Sequence, residues 1–380
     1  MKYAIVIVTY NRCESLKRSV ETLKASVSKK DKVDLIISID KSNTDVVEKF
    51  AEQCTWSNGD FIIAKHKENL GLRKHILSIG IYLDKYDALV VLEDDITVVD
   101  GFFNYVTQCV EKYQNDVRIA GISLYNFNVS YQTRLPFTPL KSEYDVYMMN
   151  CAMSWGQVWM KKQWKDFVEW YEHNNEEFNL PYLPQNINSW SEKSWLKYHT
   201  RYCIENNKYF VFPYYALATN NSEVGMHVKS AETVFQSELQ GIPVNEYRLP
   251  TFEECRIKYD GFFEPKFIAQ YLGLKEDDVC VDLNGMKSKC LYKRYLLSMD
   301  ILPYKVNRSY GLQLYPIEMN IIQGRAGLEI RLYDTQVSDK LKGRSNTVYY
   351  YKYLYRDALP KVKSILGIRG IMQILKEKLL

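Results

Sequence analysis

An α/β fold built on a mostly parallel sheet is what this sequence predicts, and three observations carry the prediction. Short apolar runs alternate with stretches of helical spacing over the first hundred residues. The runs at 5–8, 35–37 and 88–92 are β-branched and continuous, as in strands buried on both faces. Polar residues gather at the end of each run: Thr9-Tyr10-Asn11-Arg12, then Ser38-Ile39-Asp40, then Glu93-Asp94-Asp95. In an open parallel sheet, ligands bind outside the carboxyl ends of the strands.

The elements follow in order. Residues 3–9 read as a strand and 14–25 as a helix, with Leu16, Val20 and Leu23 on one face. Strand 33–39 ends at Asp40, helix 45–53 follows, then strand 61–65, helix 72–82 and strand 89–92. Strands alternating with amphipathic helices imply helices on both faces of the sheet. A helix over 102–113 leads to a strand at 119–123. Residues 126–150 and 172–190, the latter holding Pro181 and Pro184, read as loops over a cleft. Residues 155–171 mix a Gly turn with a Trp-rich helix, 191–206 read as a helix and 209–219 as a strand. The alternation fades near 240. The reading is therefore a domain over 1–240 and a smaller α+β region over 241–380.

Composition narrows the class. Of 380 residues, 46% are hydrophobic and 25% charged, which suits a globular chain. A net charge of +4 selects no nucleic-acid partner, and none is expected. The 8 cysteines have no CxxC pair or finger spacing, as expected of reduced thiols in a cytoplasmic protein. The opening run MKYAIVIVTY is too short to span a bilayer and reads as a core strand rather than a signal peptide.

The triplet Glu93-Asp94-Asp95 is the chemical centre. Three adjacent anions repel one another, and folding alone gives no reason to gather them. A hard divalent cation does, since Mg²⁺ or Mn²⁺ bridges carboxylates to phosphates. The bland alternative is a solvated turn with Asp95 capping a helix. Arg12 is placed to reach a diphosphate or to close on Asp40. Asp40 is placed to accept hydrogen bonds from a nucleotide, or to cap the turn at 42–44. Asn69, Arg73, Lys74 and His75 stand near the next strand end and are candidate nucleotide contacts, as are Thr9 and Tyr10.

Taken together, IVIVTYNR (5–12), IISIDKSNTD (36–45), KENLGLRKH (67–75) and SWGQVWMKKQW (154–164) resemble the GT-A glycosyltransferases. Within that fold the likeness is to family-2-like enzymes and their N-acetylglucosaminyltransferase I relatives. The resemblance covers about residues 1–230 and implies a Rossmann-like fold that binds a nucleotide-sugar. Lys41 departs from the usual second Asp, so the carry-over there rests on Asp40. By resemblance, Asp95 would be the metal ligand, Asp94 would contact ribose or metal, and Glu93 the donor sugar. Trp155 and Gly156 would line the donor-sugar pocket. His227, in TNNSEVGMHV, would complete the metal shell; its alternative is a hydrogen-bonded loop histidine. Relatives place an acidic base between tryptophans, which makes Glu192, in NSWSEKSW, the candidate catalytic base. Its alternative is a first-turn glutamate favoured by the helix dipole. Glu176, Glu177 and Asp145 are weaker candidates.

The expected activity is metal-dependent, inverting transfer of one sugar, from a UDP-sugar by preference, to a glycan or lipid-linked acceptor in cell-surface polysaccharide synthesis. The Gln-x-x-Arg-Trp signature of processive synthases is absent. Two other classes use related features. A nucleotidyltransferase needs a Gly-rich phosphate loop that YNRCES lacks. A non-catalytic glycan-binding module would not be expected to keep Asp40 and the whole triplet. Finally, 361–380 puts Ile365, Ile368, Met372, Leu375 and Leu379 on one stripe beside several lysines. That pattern suits peripheral contact with the inner face of a membrane, or packing on the protein's own core or a partner subunit.

Overall fold

The computed structural model describes residues 1–221 and 234–340, with 350, 353 and 354. His227 and the 361–380 stretch lie outside the described residues. The chain divides into two compact units, one of 1–132 and 139–267, the other of 133–138 and 268–380.

The first unit opens with β1 (Tyr3–Thr9), α1 (Cys13–Ser26), β2 (Asp34–Ile39), α2 (Val46–Gln53), β3 (Phe61–Lys65) and α3 (Gly71–Ser78). A short 3₁₀ turn leads to β4 (Ala88–Glu93), β5 (Ile96–Val98), α4 (Phe102–Tyr113) and β6 (Ile119–Ser123). Then come β7 (Val146–Met149), β8 (Gln157–Met160), α5 (Lys161–Glu172), α6 (Gln185–Ser189) and α7 (Trp195–Glu205). The unit closes with β9 (Tyr209–Pro213), β10 (Ala218–Asn220) and β11 (Lys258–Tyr259).

Nine strands form one sheet in the order β11-β7-β9-β6-β8-β4-β1-β2-β3. From β3 to β4 every pairing is parallel. β8 is inserted antiparallel between β4 and β6, so β6, and β9 beside it, run the same way as β4. The mostly parallel α/β sheet expected from the sequence is what forms. β1, β2 and β6 are buried along their whole length, as their continuous apolar runs require.

In the first unit β5, β7, β8 and β11 are not foreshadowed by the sequence pattern, and the strand expected over 209–219 is two, β9 and β10, in different sheets. β7 (VYMM) and β8 (QVWM) have four residues each, too few to show a period. β8 also runs directly into α5, so its residues read as the start of a helix. β10 and β5 form a separate two-stranded sheet of three residues each. The two expected loops thus carry β7 and the short helix α6. The first unit also runs past 240 to Phe267, because β11 pairs with β7 and Tyr247 and Cys255 join its core.

On the sheet face covered by α5 and α7, Trp159 stacks on Trp164 with centroids 3.5 Å apart. His199 stacks on Phe167 at 4.3 Å. His199 is buried, and among the described residues neither ring nitrogen has a hydrogen-bond partner. Burial pushes its pKa down to about 3.

The second unit holds α8 (Ile268–Leu272), β12 (Val279–Asp282), β13 (Tyr295–Ser298), β14 (Tyr304–Tyr310), α9 (Glu318–Ile322) and β15 (Ile330–Ser338). Its four-stranded sheet has the order β12-β13-β15-β14, around Cys280, Leu296 and Tyr333. Among the described residues no helix is long and apolar enough to cross a membrane.

Candidate functional site

Sheet register assembles the site. Thr9 pairs with Ile39, and Val8 with Glu93, so the ends of β1, β2 and β4 lie side by side. Asp40 continues the ladder, its N–H donating to the Thr9 carbonyl at 2.9 Å. The triplet follows directly, with Asp94 and Asp95 in the turn between β4 and β5. Asp95 therefore caps no helix; the nearest one, α4, starts at Phe102 after a left-handed Gly101. The Ser19 hydroxyl, on α1, lies 2.9 Å from the Asp94 carbonyl and 2.5 Å from that of Ile96, which ties the turn down.

Arg12 does not close on Asp40. Its Nη1 donates to Asp95 Oδ2 at 2.9 Å, and its Nη2 bonds Asp94 Oδ1. The Thr9 hydroxyl donates to Asp94 Oδ2 at 2.8 Å, so both oxygens of Asp94 are engaged. Burial pushes the Asp94 carboxyl up to about 6 against the pull of Arg12 and Thr9. Burial works against the Arg12 charge too, yet Asp94 and Asp95 raise its pKa overall. A guanidinium forked across two carboxylates has the geometry of an ion pair, and Asp94 is ionised while Arg12 is in place. Glu93 is half-buried, its carboxyl beside those of Asp94 and Asp95. Burial first, then Asp95 and Asp94, push it up to about 8.

Whether these residues suit a divalent cation follows from which oxygens are open. Among the described residues, no group of three or more His, Cys, Asp or Glu is placed to hold a metal. Among the described residues, Asp94, 4% exposed, has no open oxygen, and Asp95, 26% exposed, is bonded only through Oδ2. Mg²⁺ and Mn²⁺ commonly take one or two carboxylates and complete their shell with substrate phosphates and water. One available carboxylate fits that pattern.

Asp40 is buried and does more than accept from its own turn. Its Oδ1 accepts from the N–H groups of Lys41 (2.9 Å) and Leu70 (2.8 Å), and its Oδ2 from Gly71 N–H at 3.0 Å. The carboxylate thus caps α3 from a neighbouring strand end, supplying acceptors the helix terminus lacks. Asn69 Nδ2 reaches the Lys41 carbonyl at 2.9 Å. His75 is buried, with Nε2 2.8 Å from Ser38 Oγ. Burial, then His66, lower its pKa to about 4. Tyr10 and Lys74 are exposed.

Arg73 turns away from the strand ends. It donates to Tyr171 Oη (2.6 Å), Tyr198 Oη (2.9 Å), and the carbonyls of Glu192 (2.8 Å) and Asn175 (2.8 Å). These bonds hold the 191–194 turn against α3, and with it the exposed Glu192. Glu192 precedes α7 rather than standing in its first turn, which contains no acidic residue. Glu176 and Glu177 are exposed. Asp145 precedes β7, four strands from β4 or about 19 Å at ordinary strand spacing. It accepts from Arg248 N–H at 2.7 Å.

Gly156 adopts φ +82°, and a Cβ there would stand 2.9 Å from Ala218 Cβ. Trp155 packs against Tyr125 at 4.9 Å. Asn221 donates its N–H and its Nδ2 to the Asp95 carbonyl, at 3.2 and 3.0 Å. Two residues carried no signal in the sequence. Ser19 is one of many helix serines, and Gln157 lies on the unread β8. Gln157 is fully buried, with neither amide atom partnered among the described residues. Its pairing with Val91 puts it on the sheet face of Glu93.

Residues 4–161 match the family model described as glycosyl transferase family 2. The match runs from β1 through β8 and holds Arg12, Asp40, the triplet, Trp155 and Gly156. The fold resemblance read from the sequence, to GT-A glycosyltransferases, is borne out. No curated protein sequence matches the chain. Among solved structures, S. aureus TarS is similar at 14% identity and TM-score 0.37, over 58% of this chain and 61% of its own. GalNAc-T7 with UDP, GalNAc and Mn²⁺ is similar at 17% and 0.38, over 56% and 42%. The mannosyltransferase PcManGT from Pyrobaculum calidifontis, with GDP-Man and Mn²⁺, is similar at 11% and 0.35, over 56% and 54%. The chain spans about three fifths or less of the length of these proteins.

Proposed function

We propose that this chain is a metal-dependent, inverting glycosyltransferase that moves one hexosyl or N-acetylhexosaminyl unit from a nucleotide-sugar to a glycan acceptor. A UDP-sugar is the favoured donor. The observation that carries the reading is the carboxylate pair Asp94–Asp95. It stands at the end of a buried parallel strand of the family 2 segment, with one open carboxylate oxygen.

The residues divide the work. Asp95 would hold Mn²⁺ or Mg²⁺, with His227 as a further ligand. When bound, the cation supplies charge stabilisation for the departing diphosphate. Arg12 adds fixed positive charge beside the same phosphates. The Asp40 and Asn69 region receives the nucleoside, while Glu93, Trp155 and Gly156 border the donor sugar. Glu192, exposed on its turn, accepts the acceptor hydroxyl's proton as that oxygen attacks the anomeric carbon. Arg73 holds that turn and is a positioning residue. The acceptor belongs to cell-surface polysaccharide synthesis at the cytoplasmic side of a membrane, with the basic amphipathic 361–380 stretch as the membrane contact.

Titration with UDP-, GDP- and CMP-sugars, with and without Mn²⁺, tests the reading. UDP-sugar binding that needs Mn²⁺, followed by transfer with inverted anomeric configuration, is expected. Full activity in chelator, or a retained configuration, overturns it.

A further inference from the structure

Arg12 already gives the acidic turn a cation, and its two arms are held unequally. The Nη2 arm ends on Asp94, which is 4% exposed and fixed on its other oxygen by Thr9. The Nη1 arm ends on Asp95, which is 26% exposed, and Arg12 itself is 34% exposed. A guanidinium cannot leave by losing its proton, so it has to be displaced. Pulling it off Asp94 would strand a buried charge, the costly way to break an ion pair. The Asp95 arm faces solvent, where ion pairs are weak. One arm is therefore an anchor and the other is exchangeable.

We propose that Arg12 pivots on Asp94 and hands Asp95 over to the divalent cation, the freed Nη1 then binding the donor's diphosphate. This rests on the reading that Asp95 is the metal ligand. The cation enters at the open Oδ1 of Asp95, where the Arg12 charge on Oδ2 opposes it, so without nucleotide the two compete for one carboxylate. With a diphosphate present, the displaced arm gains a charge-assisted partner, and the competition becomes cooperation. Arg12 thereby couples metal binding to nucleotide binding, and an ordered site forms only when both arrive.

The test is Mn²⁺ binding to the full chain, followed by the electron paramagnetic resonance signal of the free ion, with and without UDP. Wild type, Arg12→Gln, Arg12→Lys and Asp95→Asn are compared, with circular dichroism to verify folding. Without UDP, Arg12→Gln should bind Mn²⁺ roughly fivefold or more tightly than wild type, and the gain that UDP confers should shrink by a similar factor. Arg12→Lys keeps a charge for Asp94 but cannot span both carboxylates, so it should also bind Mn²⁺ more tightly than wild type. Asp95→Asn should bind little Mn²⁺ in either condition. Unchanged or weaker nucleotide-free Mn²⁺ binding in both Arg12 variants, with UDP coupling intact, overturns the pivot and leaves the metal reading standing. Absence of Mn²⁺ binding from every protein, even with UDP, overturns the metal reading and the pivot together.

Discussion

The Thr9 hydroxyl donates to Asp94 Oδ2 at 2.8 Å, joining the last residue of β1 to the turn that follows β4. Both groups are buried, so the bond fixes the rotamer on which Arg12 rests. Thr9→Val keeps shape and removes the donor. It should lower unfolding free energy by about 1–3 kcal/mol, the range for leaving a buried acceptor unsatisfied. Thr9→Ser should recover most of it. Urea denaturation measures both, and a Val variant as stable as wild type would remove Thr9 from this role.

Asp40 accepts three backbone N–H groups, two of them from Leu70 and Gly71 at the start of α3. Asp40→Ala should cost about 1–2 kcal/mol of stability, as for a lost helix cap. UDP affinity, measured calorimetrically under conditions where the variant is fully folded, separates two roles. Weakened binding assigns the carboxylate to the nucleotide as well; wild-type affinity assigns it to α3 alone.

Asp95→Asn replaces the partly exposed carboxylate whose Oδ1 is open, and that exposure makes the change tolerable to the fold. UDP binding should lose its Mn²⁺ dependence and transfer should fall to background. A melting temperature close to wild type should accompany both.

Glu192→Gln keeps size and cannot accept a proton. Arg73 bonds the backbone carbonyl of Glu192, so the turn should stay in place. A fall in kcat of roughly 100-fold or more is expected, with KM for the donor little changed. Turnover near the wild-type rate would exclude Glu192 as the base.

His199 gives the protein a pH dependence whose sign is fixed by burial. Its pKa falls from 6.5 to about 3 in the folded chain, so below about pH 6.5 the unfolded state binds a proton that the folded state does not. Stability should therefore decline as pH drops from about 6.5 towards 3, by about 1.4 kcal/mol per pH unit. His75, lowered to about 4, adds the same sign over a narrower window. His199→Phe keeps the stack on Phe167, removes two unpartnered ring nitrogens, and should flatten the His199 part of the decline. Denaturant midpoints between pH 4.5 and 8 read the difference; an unchanged slope would show that His199 is hydrated or hydrogen-bonded in solution.

The sequence was most legible where one signal sufficed. β1, β3, α4 and β6 form over the residues read for them, because each is a compact apolar run or a helix with a clear face. β7 and β8 needed long-range pairing to exist at all. In the site, the ends of β1, β2 and β4 announced themselves, yet the partner of Arg12 did not. That contact joins residues about eighty positions apart and depends on register, which adjacency in sequence does not encode. Arg73 looked the same in sequence as Lys74, and only the fold shows it bound to Tyr171, Tyr198 and two carbonyls.

The antiparallel β8 between β4 and β6 has a consequence for synthesis. β1 to β4 can assemble from contacts within the first 93 residues, but that half-sheet ends on the open edge of β4. The strand that closes it is not available until residue 160 has left the ribosome. A bare, apolar strand edge invites pairing with other nascent chains. Truncations ending between 93 and 156 lack that strand and should be prone to aggregate despite a complete set of carboxylates.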